Sequence, residues 1–308
     1  MKEYFVFMLK GIGMGTANVI PGVSGGTIAL ITGIFERLIN SIKSFDFKTL
    51  RLLFKGQFRE FVKHTDLYFL ASVGVGILIA IFSLARLLEY LFKYHSIYIW
   101  SYFFGLILAS VYFIGITIKN WNTYVIISFL IGTAIAVSLS FLSPAEGNEN
   151  FFYLILCGVV GVCSMILPGL SGSFVLILMG NYQLIFIEAV NQLRIDILFP
   201  AAIGIVVGLI GFSHFLSWIF RRFRYQTIAL LTGFILGSLI IIWPWKDKIF
   251  VTDTFGEVVI KKGMPVVARY KLVLPDSFSG EVMLAVVFIV LGILSIWLIE
   301  WTAKKKSV

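Results

Sequence analysis

Two stretches of this sequence hold the residue types from which an oxyanion site is built. They read "NVIPGVSGGT" (residues 18–27) and "MILPGLSGSF" (residues 165–174). Pro21, Gly22, Ser24, Gly25 and Gly33 recur as Pro168, Gly169, Ser171, Gly172 and Gly180, each 147 positions further on. A Pro-Gly-x-Ser-Gly turn ends one helix and opens another, which leaves the first N–H groups of the new helix without intrahelical acceptors. Those donors and the helix dipole together favour an anion. Glycine permits close approach of a ligand to the backbone. The candidate binding residues are Asn18, Pro21, Gly22, Ser24, Gly25, Gly26 and Thr27 in the first stretch. In the second they are Pro168, Gly169, Ser171, Gly172 and Ser173. The chemistry they point to is capture of a phosphate or carboxylate. The plainer reading is that Pro and Gly only permit a tight hairpin and close packing; the duplication favours a site.

The G-x-S-G cores also match those of intramembrane serine proteases. That chemistry needs a histidine base beside the serine. The three histidines are His64 and His95 in loops and His214 in an apolar run, and one buried histidine cannot serve two symmetric serines. A lipid-phosphate enzyme would need clustered His, Arg and Asp residues, and no such set is visible. No enzymatic activity, cofactor or metal is expected. Cys157 and Cys163 lie six apart, which turns them to different faces of a helix.

The residues around these motifs are strongly apolar. Of 308 residues, 59% are hydrophobic and 13% charged, a balance that places the chain in a membrane. The net charge of +9 does not imply nucleic acid, because the bases cluster in loops between apolar runs. The first twenty residues are read as mature sequence rather than a signal peptide, since Lys10 interrupts them and no cleavage site is evident. Six segments are predicted to cross the bilayer: 67–92, 97–118, 124–142, 198–220, 226–245 and 281–301. The regions 4–40 and 151–190 carry the breaks. Each break is followed by three spans, and "FGLILAS" (104–110) resembles "TGFILGS" (232–238). The expected units are 1–142 and 151–301.

Charge argues that the broken regions enter and turn back. The loop 41–66 then lies inside with Lys43, Lys48, Arg51, Lys55, Arg59 and Lys63. Arg221, Arg222 and Arg224, and also Lys304, Lys305 and Lys306, fall on the same side. The loop 143–150, with Glu146 and Glu149, lies outside. This obeys the positive-inside rule, with both termini cytoplasmic. Three crossings per unit make the halves inverted repeats. The expected fold is therefore an all-α polytopic membrane protein, each unit a re-entrant helical hairpin plus three transmembrane helices. Paired Gly/Pro-interrupted segments of this kind point to a transporter's binding site.

Five charged or titratable positions stand out beside the motifs. Glu36 and Arg37 follow the first tip; Arg37 would receive an anion leaving for the cytoplasm, unless it only snorkels to the interface. Arg86 and Glu89 share a helix face inside a span, as a coupling element or an ion pair. His214 could titrate during transport, or be a hydrogen-bonded packing residue. Gln183 and Leu184 stand where Glu36 and Arg37 would recur. The segment 41–66 reads as an amphipathic helix on the anionic leaflet. The segment 246–280 alternates apolar and polar residues, with Gly256 and Gly263 as turns, and reads as a small extracytoplasmic β-hairpin.

"NVIPGVSGGTIALITGIFERLI" (18–39) and "MILPGLSGSFVLILMGNY" (165–182) resemble the paired signatures of the bacterial polyprenyl-phosphate transporters, long catalogued as a domain of unknown function. The resemblance covers nearly the whole chain. It implies a flippase in the bacterial plasma membrane that moves undecaprenyl phosphate from the outer to the cytoplasmic leaflet, recycling the carrier lipid for cell-envelope polymers. The partner it implies is a polyprenyl phosphate lipid. Because the headgroup would move toward a negative interior, coupling to a cation is expected. The alternatives are a transporter of a small soluble anion and, further off, an intramembrane lipid-phosphate enzyme.

Overall fold

A computed structural model describes residues 2–19, 24–142, 144–250, 260–261, 264–265, 267–275 and 279–305. The chain is mostly helical. The first broken region forms α1 (Lys2–Val19), α2 (Gly25–Ile31) and α3 (Phe35–Lys43). Next come α4 (Phe47–Phe54), α5 (Phe58–His64), α6 (Leu67–Tyr94), α7 (Ser96–Gly115) and α8 (Thr123–Ser140). The second broken region forms α9 (Phe151–Ile166), α10 (Gly172–Leu178), a π-helical turn (Leu184–Glu188) and α11 (Ala189–Asn191). It is followed by α12 (Ile195–Arg222) and α13 (Arg224–Ser238). Strands β1 (Lys246–Phe250), β2 (Ile260–Lys261), β3 (Met264–Pro265) and β4 (Val267–Leu272) precede the last helix, α14 (Gly280–Lys305).

Both short helices end in the same way. After α2, Gly33 (φ +72°) donates to Leu30 O and Ile34 to Ala29 O; after α10, Gly180 (φ +76°) donates to Ile177 O and Asn181 to Leu176 O. This is the Schellman ending, and the left-handed conformation it requires explains a glycine at both places. The preceding long helix supplies a further cap in each half: Lys10 Nζ donates to Thr32 O at 2.6 Å, and Tyr153 Oη to Met179 O at 2.8 Å.

The helices pair in a pattern that repeats. Helix α1 lies along α6 as α9 lies along α12, while α7 lies along α14 as α13 lies along α8. A glycine contact sits at the centre of each pair. A Cβ on Gly76 would stand 2.1 Å from Met8 O, and one on Gly204 2.1 Å from Ile155 O. One on Gly105 would stand 2.0 Å from Ile289 O, and one on Gly233 2.2 Å from Phe129 O. Small residues that admit a neighbouring backbone are the usual basis of helix association in lipid. The apolar side chains at the outer surface, among them Phe82, Leu130, Val206 and Leu284, are correspondingly exposed.

Among the described residues, α7, α8, α12 and α14 are long and apolar enough to cross a membrane, and α5 with α6 forms a fifth candidate bent by 66°. The expected helical span 226–245 is corrected. Helix α13 stops at Ser238, and its 15 residues reach only about 22 Å at 1.5 Å per residue. Residues 239–242 are turns leading to Trp243, Pro244 and Trp245. Pro244 has no N–H to donate and disfavours helix at the residue before it. The single amphipathic helix expected over 41–66 is likewise two, α4 and α5, divided at Gly56 (φ +68°). The segment 246–280 does contain antiparallel strands, β1 with β4 and β2 with β3. Its expected turn glycines, Gly256 and Gly263, lie outside the described residues.

Candidate functional site

The two motifs meet at the centre of the packing. Ser24 is the N-cap of α2, and its Oγ accepts from Gly26 N–H at 3.1 Å. The same hydroxyl reaches the second motif, at 3.3 Å from Met165 O and 3.2 Å from Leu167 O. In return, Gly169 N–H donates to Thr27 Oγ1 at 2.9 Å. Gly26 lies so near that a Cβ there would stand 2.4 Å from Ile166 O. On the second side, Pro168 and Gly169 (φ +82°) form a turn in which Leu170 N–H donates to Leu167 O. Glycine after proline is what a type II turn demands. A Cβ on Gly169 would strike the backbone of Phe234 and Ile235 in α13 at 2.5 Å.

This corrects the expectation that the first tip's main-chain donors are free. Gly25 N–H is held by Asn18 Oδ1 at 2.8 Å, Gly26 N–H by Ser24 Oγ, and Thr27 N–H by Ser24 O. Here Gly25 and Gly26 make room for Asn18 and for the second motif's backbone. Pro21 and Gly22 lie outside the described residues. The second tip differs: Ser171 is the N-cap of α10 but gives it no side-chain cap, and its Oγ lies 2.9 Å from Ser173 Oγ. The amides of Gly172, Ser173 and Phe174 find no acceptor among the described residues. Gly172 fits beneath Met165, whose Cγ a Cβ would meet at 2.2 Å. Ser24 and Thr27 are buried, and Ser171 nearly so.

The other singled-out residues lie away from the tips. Arg37 is already engaged by two carboxylates. Its Nε and Nη2 bind both carboxylate oxygens of Asp66 at 2.6 and 3.1 Å, and Nη1 binds Glu3 at 3.2 Å. The guanidinium also sits 4.7 Å from the Phe7 ring and 4.6 Å from the Phe69 ring. Two carboxylates take three of its five N–H donors and two aromatic rings flank it, so Arg37 ties α3 to α1 and α6. Glu36 pairs with Arg224 of the other half at 2.9 Å. His214 is exposed on α12 and bonds within its own helix, Nδ1 to Ile210 O at 2.9 Å. The side chains of Arg86 and Glu89 on α6 lie outside the described residues.

Sequence reasoning passed over a cavity of about 180 Å³ between α3 and the α12–α13 corner. Its polar lining is Glu36, Asn40, Ser217, Arg221 and Arg224, above Ile39 and Phe220. In the sequence these arginines carry only a topology signal. Nothing in residue spacing pairs Glu36 with Arg224, since the contact joins opposite halves. A second ion cluster was equally invisible: Arg194 binds Glu149 at 2.8 Å and Asp196 at 2.7 Å. The Arg194 hydrogen bond holds the Glu149 carboxyl below the usual carboxylate range.

Four helices of membrane-spanning length, packed with two shorter helical regions whose duplicated motifs meet inside the packing, define a polytopic membrane protein, and paired Gly/Pro breaks of this kind point to transport. The comparisons are specific. The sequence matches the VCA0040-like family, described as undecaprenyl phosphate translocase-like, over residues 14–259, and the chain belongs to that family. It is similar to a polyprenyl-phosphate transporter of Vibrio cholerae, with 39% identity over 258 residues covering 83% of each chain. It is also similar to a polyprenyl-phosphate transporter of Staphylococcus aureus, with 30% identity over 263 residues covering 79% of this chain and 88% of the relative. No solved structure matches. Both relatives carry transporter names and neither an enzyme name.

Proposed function

We propose that this protein moves a polyprenyl phosphate, undecaprenyl phosphate in the first instance, from the outer to the cytoplasmic leaflet of the bacterial plasma membrane. The returned carrier lipid would serve another round of envelope synthesis. The observation that carries the reading is the contact of the two duplicated motifs, Gly169 N–H on Thr27 Oγ1 with Ser24 Oγ on the Met165 and Leu167 carbonyls. In this conformation the tips are clasped. Loading requires them to part, and the phosphate oxygens then take over as acceptors from Asn18, Ser24 and Thr27. The second tip needs the least rearrangement: among the described residues its amides at Gly172, Ser173 and Phe174 have no acceptor, and the hydroxyls of Ser171 and Ser173 are bonded only to each other. The polyprenyl tail stays in lipid throughout, and only the head needs escort.

The inverted arrangement and the re-entrant hairpins belong to the same proposal. Support comes from how each hairpin returns to its start: Arg37, after α2, binds Glu3 at the head of α1, and Arg194, after α11, binds Glu149 just before α9. Between the two closures run α6, α7 and α8. An odd number of crossings sends the hairpins in from opposite faces, the first from the side of Arg221 and Arg224, taken as cytoplasmic along with both termini. The phosphate monoester carries between one and two negative charges near neutral pH. Moving each charge toward a negative interior costs about 2.3 kcal/mol per 100 mV, so the step is coupled to a cation, most simply the proton.

The test is a leaflet assay in reconstituted vesicles. Polyprenyl phosphate changes sides with the native protein, and Ser24→Ala and Ser171→Ala slow it strongly. Vesicles in which the lipid stays put, while labelled inorganic phosphate crosses, would replace this reading by soluble-anion transport. Undiminished lipid movement after collapse of all ion gradients would remove the coupling alone.

A further inference from the structure

We infer that the cavity between α3 and the α12–α13 corner is a second phosphate site, where the headgroup rests on the basic face before release, and that Glu36 is the built-in competitor that ejects it. The inference rests on the transport reading for its direction, but the site itself stands on the lining. Two guanidinium groups, Arg221 and Arg224, face one carboxylate, Glu36. Arg224 is paired with Glu36 at 2.9 Å, whereas Arg221 has no partner among the described residues. Lys43 adds a further cation at the edge, with Nζ 3.4 Å from Ser217 Oγ. That leaves an excess of one to two positive charges, which matches the charge of a phosphomonoester near neutral pH.

The neutral groups fit the same ligand. Ser217 Oγ donates to Asn40 Oδ1 at 2.9 Å, which fixes the Asn40 amide and leaves its NH₂ donors for the cavity. Planar guanidinium forks and amide donors suit tetrahedral oxyanions, which accept from several directions at once. The volume of about 180 Å³ far exceeds the roughly 10–15 Å³ that one water needs. Ile39 and Phe220, both buried, give it an apolar floor.

Glu36 gives the site its second property. With the site empty, its carboxylate occupies Arg224. A phosphate that binds must displace it, and the displaced carboxylate then repels the bound anion. A carrier needs a release site that binds weakly enough to let go, and a competing carboxylate within the site supplies that weakness. Arg37, one position on, faces Asp66 and Glu3 instead. The halves therefore differ where Gln183 and Leu184 replace Glu36 and Arg37.

The inference is tested by titrating full-length protein in detergent with a short-chain prenyl monophosphate, and separately with inorganic phosphate. Arg221→Gln and Arg224→Gln should each weaken binding about five- to tenfold, the lower range for charge-assisted bonds at a partly exposed site. Glu36→Gln should tighten it by a similar factor and, in the leaflet assay, slow release. Opposite signs from residues on one cavity wall cannot both arise from misfolding. Tight prenyl phosphate with weak inorganic phosphate assigns the site to the lipid head; equal binding of both, with the same variant effects, assigns it to the phosphate group alone. Glu36→Gln that binds no tighter, or arginine variants that bind as the native protein does, overturn the inference even if lipid still crosses. A native protein that moves no lipid overturns the transport reading instead, because cavity binding is scored without transport.

Discussion

Replacing Thr27 by valine isolates the bond between the two motifs. Valine keeps the branched shape of threonine at this buried position, 1% exposed, and exchanges the hydroxyl for a methyl. What is lost is the acceptor for Gly169 N–H, at 2.9 Å. The amide is buried, and the Cα of Gly169 is packed against the backbone of Phe234 and Ile235. An unsatisfied buried donor costs about 1–3 kcal/mol. That cost falls on the clasped state alone, so the ratio of parted to clasped tips rises by roughly 5- to 150-fold. Thr27→Ser is the control. It keeps the oxygen and loses one methyl, worth about 0.8 kcal/mol if fully buried. Hydrogen–deuterium exchange of a peptide spanning 167–172, measured in nanodiscs, reads the difference at the bond itself. The valine variant should exchange faster by the stated factor and the serine variant close to the native rate. Native exchange in Thr27→Val would mean that the tips are not held together by this bond, and the account of the clasp would fail.

Two further outcomes follow from other parts of the molecule. Gly105→Ala and Gly233→Ala place a Cβ about as close to a facing carbonyl, 2.0 and 2.2 Å, so both should destabilise the protein by an overpacking cost of about 1–3 kcal/mol or more, read as loss of the folded fraction in an SDS titration; Gly211→Ala, where nothing lies within 4 Å, should be neutral or better. Lys246, on β1 beyond the end of α13, is pushed down to about 8 by burial, with its Nζ 3.8 Å from the centre of the Trp100 ring. Because its folded value lies below the unfolded one of about 10.4, the desolvation cost is present in full below pH 8, and stability rises as pH climbs from about 8 toward 10.4. Tryptophan emission should titrate with a midpoint near 8 in the native protein and not in Lys246→Met; a native midpoint near 10 would show the ammonium to be well solvated.

The sequence was most legible where backbone conformation leaves few choices. The duplicated Pro-Gly-x-Ser-Gly cores and the glycines at 33 and 180 name turns and helix ends that few other residues can make, and the structure has Schellman endings at both glycines. Long apolar helices were equally plain. The extent of α13 was not, because hydropathy continues through Ile240, Ile241 and Ile242 after the helix has ended before Pro244. Side-chain partners were least legible. Arg37 looked like an anion receiver because Asp66 and Glu3 lie 29 and 34 positions away in sequence, and only the return of the hairpin brings them to it. For the same reason the first tip's amides looked free. Asn18 is the acceptor for one of them, and its role depends on the angle between α1 and α2, which composition does not encode.

The exchange of helices between halves has a consequence for biogenesis. Helices α7 and α8 take their glycine-lined partners, α14 and α13, from the other end of the chain. While the ribosome is still making the second half, the grooves at Gly105 and Gly132 have nothing to receive. The nascent first half must therefore wait in the bilayer with two unfilled seams, exposed to mispairing or to a holding chaperone, until the last hundred or so residues emerge. A truncated product ending before α13 would not be a smaller version of this protein but an orphan, and quality-control proteases would be expected to treat it as one.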